Sequence, residues 1–337
     1  MDSFLFAINA TVPVFLVILL GGWLRRTGML NKAFTDVADK YVFKVALPVL
    51  LFYDIATSDL YRDFQLSFVL FCAFGTIVMF LGVWFFSQLL IKDKSIVGAF
   101  SQGAVRGSAA ILGVAFVQNI YGEPGQLPLM IVSAVPLFNI LSVVILTFSA
   151  VPRDGNSNCV DGNNVADASK NRAAAPALRN GAIASALKNI VKNPIILGIL
   201  AGLPFALLCL PLPAIAAKAA ISIGNTATPL ALLSIGAEFD GRKALARLKP
   251  TFSAAFIKLL FLPAVFLAAA VAMGFTHSQL IAILIMTGSS TTVSSYIMAK
   301  NMDNDAVLTA SIIVVTTLLS SITLTFWLFL LRLYGLI

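Results

Sequence analysis

Two short stretches of this chain combine residue types that suit anion chemistry. The first reads Ser101-Gln102-Gly103-Ala104-Val105-Arg106-Gly107-Ser108 and sets one guanidinium between glycines and hydroxyls. The second reads Thr287-Gly288-Ser289-Ser290-Thr291-Thr292-Val293-Ser294-Ser295 and carries hydroxyls without any charge. Gly raises the entropic cost of a helix, and Ser and Thr offer the backbone competing hydrogen bonds. A helix broken at such a point exposes free N–H groups and the positive end of its dipole, which together attract an anion. The Arg106 charge needs compensation, from an acidic partner, helix carbonyls or an anionic substrate. The bland alternatives are that the small residues serve close helix packing and that Arg106 belongs to a structural hydrogen-bonded cluster. The candidate site residues are Arg106, Gly107, Ser108, Ser289, Ser290, Thr291 and Thr292, with the amides Asn139 and Asn225. Asp54 and Glu238 are candidate charge partners near the ends of apolar runs, where solvation explains them as well. Lys258 is expected to snorkel out of its run, and Pro48 and Pro229 to kink theirs.

Other chemistries lack their parts. His277 is the only histidine, and Cys72, Cys159 and Cys209 show no metal-binding spacing. No GxxxxGK[ST] loop is present to cradle a nucleotide. Neither a metal nor a cofactor is expected, and no nucleophile–base set suggests an enzyme.

The elements that carry these residues are apolar. Of 337 residues, 59% are hydrophobic and 11% charged, and the mean hydropathy is +0.94. Water does not tolerate that much apolar surface, whereas a bilayer does. A span needs about 20 apolar residues. Ten segments qualify: 4–24, 35–57, 65–91, 96–120, 127–151, 190–211, 214–238, 251–274, 277–299 and 304–334. The first is no signal peptide by charge order, because Asp2 precedes it and Arg25 and Arg26 follow it. Arg106 falls about eleven residues into the fourth segment, near mid-membrane, where a charge costs at least about 2.5 kcal/mol.

The formal charge of +8 implies no nucleic acid, since location decides its meaning. If the segments alternate, eighteen of the 23 Lys and Arg fall on one side and three on the other. The positive-inside rule then places the central segment in the cytoplasm and both termini outside a cell inner membrane. Residues 152–189 are polar and read as a cytoplasmic linker, with an Ala-rich surface helix over Ala177–Lys188.

The two sides of that linker repeat. Ile18-Leu19-Leu20-Gly21-Gly22 lies over Ile199-Leu200-Ala201-Gly202-Leu203, and Leu47-Pro48 over Thr228-Pro229, both at an offset of 181 residues; Ser108 falls on Ser290 at 182. An odd number of spans per copy inverts the second copy. The expectation is an all-α integral membrane protein with ten transmembrane helices, in two inverted five-helix repeats over 1–151 and 190–337. Helices 4 and 9 are broken, and the site lies between the copies near the midplane.

Short matches run through most of the chain outside the linker. They are Ala46-Leu47-Pro48-Val49-Leu50-Leu51-Phe52, Arg106 with Leu112-Gly113, Asn139-Ile140-Leu141-Ser142, Asn193-Pro194-Ile195-Ile196, Pro229-Leu230-Ala231-Leu232 with Ile235-Gly236-Ala237, and Ser294-Ser295-Tyr296-Ile297-Met298-Ala299. In these the sequence resembles the auxin efflux carrier family, which includes bacterial malonate and malate permeases. Ser108, Ala115 and Ser290 stand where family members often carry Asn, Pro and Pro. The resemblance implies that the broken helices 4 and 9 cross at the centre, with a scaffold of helices 1, 2, 6 and 7, a transport domain moving against it, and a carboxylate bound beside the crossover. The expected function is secondary transport of a small organic anion such as malonate or malate by alternating access. The alternative is a sodium- or proton-coupled symporter of the bile-acid type, against which the absence of Asp and Glu from both crossover stretches counts. Coupling to protons or sodium, and a homodimeric state, are left open.

Overall fold

The computed structural model describes residues 2–57, 65–108, 117, 125–150, 190–239 and 241–337, with side chains other than those of residues 2–11 and Lys243. Ala115, the 152–189 linker and most of the second half of the fourth segment lie outside the described residues. Every described element is helical, apart from one isolated antiparallel bridge between Gly107 and Thr291.

The helices are α1 Asp2–Arg26, α2 Lys32–Tyr41, α3 Leu47–Ala56, α4 Leu66–Leu90, α5 Val97–Val105 and α6 Leu127–Ser149. Then come α7 Pro194–Leu207, α8 Ala214–Gly224, α9 Ala227–Glu238, the short α10 Gly241–Ala246, α11 Leu248–Phe256 and α12 Leu262–Ala272. The last are α13 Ser278–Gly288, α14 Ser294–Asn301 and α15 Ala306–Leu333. Among the described residues five helical stretches are long and apolar enough to cross a membrane: Leu66–Leu90, Leu127–Ser149, Ala214–Glu238, Leu248–Ala272 and Ala306–Leu333. Their outward faces carry bare aromatics such as Phe74, Phe85 and Phe86, which lipid solvates and water does not. The chain is a multi-pass membrane protein.

Local sequence fixes the helix starts. Asn193 accepts a hydrogen bond from Ile195 N at 3.0 Å, with Pro194 in the first turn where its missing N–H costs nothing. Asn31 and Asp305 cap α2 and α15 in the same manner, at 2.8 Å each. The prolines do more than kink. A π-turn over Val42–Ala46 precedes Leu47-Pro48, and a second over Ile257–Phe261 precedes Leu262-Pro263. Pro263 has no N–H for the carbonyl of Leu259, and Trp327 Nε1 donates to that oxygen at 3.0 Å instead. Pro229 sits in the first turn of α9, just past a break at Asn225-Thr226.

Among the described residues two large hydrophobic cores form, with a smaller third around Phe100, Ala254 and Ile312. One gathers α4, α6, α12, α13 and α15 around Phe68, Phe80, Met130, Phe138 and Ile285. The other gathers α1, α3, α7 and α9 around Leu51, Ile199, Leu232 and Ile235, with Tyr296 and Met298 of α14 against it. Glycines set how closely the second group packs. A Cβ on Gly21 would strike the backbone of Leu233, and one on Gly202 would lie 2.8 Å from the Phe52 carbonyl. Residues 21 and 202, and likewise 52 and 233, differ by 181, the offset at which Ile18–Gly22 and Leu47-Pro48 match later sequence.

Candidate functional site

Two helices end face to face in the middle of the fold. Helix α5 stops at Val105, and Arg106 turns to extended geometry (φ −72°, ψ 112°). Helix α13 stops at Gly288, Ser289 is extended (φ −70°, ψ 158°), and the chain resumes as α14 at Ser294. The two breaks pair: Gly107 bridges Thr291, and Ser108 N donates to Ser290 O at 2.9 Å. Thr291 clamps the junction. Its N–H donates to Thr316 Oγ1 at 3.1 Å, and its hydroxyl donates to Gly103 O at 2.7 Å. Gly107 is required by contact, since a Cβ there would lie 2.5 Å from Ser289 Oγ and 2.9 Å from Lys258 Nζ.

A cavity of about 450 Å³ opens beside this junction. Arg106, Gly107 and Ser108 form one wall, Asn139 and Phe138 of α6 another, and Thr292 and Ser294 lie at the start of α14. The opposite wall is Leu47, Leu51 and Asp54 of α3 with Asn225 and Thr228 at the break between α8 and α9. The Arg106 side chain is buried. It donates to Asn139 Oδ1 at 2.5 Å and contacts Met298 Sδ. Asn139 Nδ2 is held by Val135 O at 2.9 Å, which fixes the amide with its oxygen towards the guanidinium. Among the described residues no carboxylate pairs with Arg106, and its two partners occupy only part of a five-donor fork. Thr292, Val293 and Ser294, where α14 begins, line the same space.

Six of the nine expected site residues line the cavity: Arg106, Gly107, Ser108, Asn139, Asn225 and Thr292. Ser289, Ser290 and Thr291 do not. They are buried in the junction, where backbone groups of Ser290 and Thr291 make the pairing. Asn225, read as a buried amide, is exposed to the cavity. Asp54, read as an end-of-span residue, faces the cavity as well. Thr228 and Ser294 were missed, although both stand in motifs that the sequence marks. Lys258 does not snorkel: it is fully buried, because Val105 O lies 2.7 Å from its Nζ.

A charged cluster stands at the other end of the α2–α3 rod. Lys300 of α14 pairs with Asp39 at 2.6 Å and Glu238 at 2.5 Å, and with Asp36 at 3.4 Å. Thr35 and Tyr296 donate to the two oxygens of Glu238, at 2.7 and 2.9 Å. These bonds tie α2 and α9 to α14. A second cluster in the loop before α5 joins Arg247 to Asp93 at 3.1 Å and to Asp305 at 3.0 Å. Hydrogen bonds from Ser95, with Arg247 alongside, hold the Asp93 carboxyl below its ordinary range against the small opposing effect of burial.

Apolar spanning helices, with a double helix break and a cavity of mixed polarity beside it, are the arrangement expected of a membrane transporter. A family model described as "Membrane transport protein" matches residues 6–328, nearly the whole chain. The chain belongs to that family, the auxin efflux carrier family. A search of curated proteins gave no match.

Proposed function

We propose that this transporter carries a small organic carboxylate, such as malonate or malate, bound at the cavity beside the crossover. One observation carries the reading. Arg106 is a buried guanidinium, without a carboxylate partner among the described residues, on the wall of a cavity at a double helix break. An uncompensated charge at that depth is costly, and an anionic substrate supplies the compensation. The substrate carboxylate takes a forked pair of hydrogen bonds from Arg106, with Asn139 holding the fork in place. Ser108, Asn225, Thr292 and the N-terminus of α14 complete the shell. Leu47, Leu51 and Phe138 accept the apolar part of the ligand.

The same reading takes the chain as two inverted five-helix repeats, 1–151 and 190–337, joined by the 152–189 linker. The matched contacts of Gly21 with Leu233 and of Gly202 with Phe52 support it. So does the meeting of the fourth and ninth segments at their breaks. Ten spans place both termini outside the cytoplasmic membrane, and charge asymmetry supports that placement. The cavity then extends from the crossover towards the outer end of α3, while the Lys300 cluster closes the cytoplasmic side. Transport follows alternating access: the core holding α4, α6, α12, α13 and α15 moves against the core of α1, α3, α7 and α9, and the Lys300 contacts break as the inner side opens. An inside-negative potential expels a net-negative substrate, so without a coupled cation the carrier exports.

Counterflow of labelled malonate, malate and aromatic carboxylates in proteoliposomes tests the proposal. Exchange of at least one of them, lost in Arg106→Ala, is the expected result. No exchange of any carboxylate under imposed proton or sodium gradients contradicts it.

A further inference from the structure

The structure assigns Lys258 a role outside the substrate cavity: it is a tethered cation that joins the carbonyl ends of the two interrupted helices. The inference rests on reading the crossover as the transport site. Lys258 lies on the π-turn Ile257–Phe261 and is fully buried. Such single wide turns recur at functional positions, because they re-aim a side chain that a regular helix would point elsewhere. Its Nζ donates to Val105 O at 2.7 Å and lies 3.4 Å from Met286 O.

Both acceptors are special. Val105 is the last residue of α5, and Met286 stands in the last turn of α13. Carbonyls in the last turn of a helix lack intrahelical partners and carry the negative end of the dipole. Two such ends converge here, so a cation between them is stabilised twice. Gly107 admits it, since a Cβ there would come within 2.9 Å of Nζ. Among the described residues no Asp or Glu forms an ion pair with Lys258, so the backbone is its counter-charge. In transporters with interrupted helices, half-helix C-terminal ends are where a coupling sodium ion or proton binds. In this chain a side chain fills that position permanently. Lys258 does not line the cavity and is therefore a positioning residue: it keeps the two breaks in register, so that Arg106, Ser108 and the start of α14 face one ligand.

Two measurements test this, and one needs no substrate. In counterflow with the best carboxylate, the wild type exchanges at the same rate in sodium and in choline buffers. Lys258→Ala falls at least about tenfold, in line with a cation at two helix ends, and propylammonium in the buffer restores much of the loss. In thermal unfolding of the purified protein, Lys258→Ala melts below the wild type. Propylammonium raises its midpoint, and the uncharged isostere propanol does not. A wild type that requires sodium, a Lys258→Ala variant at full rate in choline, or equal rescue by propanol and propylammonium would each overturn the tethered-cation role. If no carboxylate exchanges at all, the transport proposal fails, and the unfolding comparison still decides the role of Lys258.

Discussion

Adding one methyl group at Gly21 probes how the two halves are joined. A Cβ at that position meets the Leu233 carbonyl oxygen in overlap and lies 3.0 Å from the Leu233 carbonyl carbon and Cα. All three atoms are backbone, so no rotamer change relieves the contact and α1 must move away from α9. Overpacking of this kind costs about 1–3 kcal/mol. Gly202→Ala should cost a similar amount, because its Cβ would lie 2.8 Å from Phe52 O and 3.1 Å from Ile55 Cβ. Gly236→Ala should be the most damaging, since it strikes the Ile18 carbonyl and lies 3.0 Å from Gly22 N. Gly82 is the control. It sits inside α4 with nothing within 4 Å of its added Cβ, so Gly82→Ala should stabilise by roughly 0.5–1 kcal/mol through helix propensity alone. Thermal unfolding in nanodiscs, followed by tryptophan fluorescence, ranks the four variants. The expected order of midpoints is Gly82→Ala above wild type, Gly21→Ala and Gly202→Ala together below it, and Gly236→Ala lowest. Wild-type midpoints for both Gly21→Ala and Gly202→Ala would refute the close backbone packing and, with it, the matched contacts that support the repeat.

Other outcomes follow from the charged groups. Lys300→Met leaves the buried Asp39 without its ammonium and should destabilise by about 3–5 kcal/mol at most, whereas Glu238→Gln, whose amide oxygen still accepts from Thr35 or Tyr296, should cost less; thermal unfolding separates them. Asp93→Asn should lower the midpoint at pH 7. The folded carboxyl titrates below its unfolded value of about 3.9, so its contribution is present above that pH and lost as pH falls through the folded value; a difference between wild type and variant that persists at the acid end would contradict the assignment. Gly107→Ala should abolish counterflow while the purified protein stays monodisperse, because the new Cβ meets Ser289 Oγ and Lys258 Nζ at the junction.

Much of this architecture is written in the sequence, but unevenly. The apolar runs and their charge asymmetry are legible because lipid imposes a simple length rule. The interruptions at Arg106 and Ser289 are legible because Gly and hydroxyl residues collect there. Their division of labour is not. Ser289, Ser290 and Thr291 look like ligand groups by composition, yet the pairing of the two helix breaks turns them into the junction and leaves Thr292 and Ser294 for the cavity. Lys258 reads as a snorkelling side chain by depth. Its course depends on the π-turn before Leu262-Pro263 and on an orphan carbonyl of a distant helix. Asp54 is two residues from the end of α3, and its place on the cavity wall depends on tertiary packing rather than on its neighbours in sequence. The 181-residue offset is visible in weak sequence matches, and the close approaches of Gly21 to Leu233 and Gly202 to Phe52 fall at the same offset.

The central claim is that a carboxylate binds the Arg106 fork beside the crossed breaks. Its most direct test is the concentration dependence of carboxylate counterflow for wild type, Arg106→Lys and Arg106→Ala in one proteoliposome preparation. The account predicts saturable exchange by the wild type, a higher KM for Arg106→Lys because a point charge cannot replace a bidentate fork, and no exchange by Arg106→Ala. Saturable exchange of the same carboxylate by Arg106→Ala, with unchanged KM and rate, would contradict it.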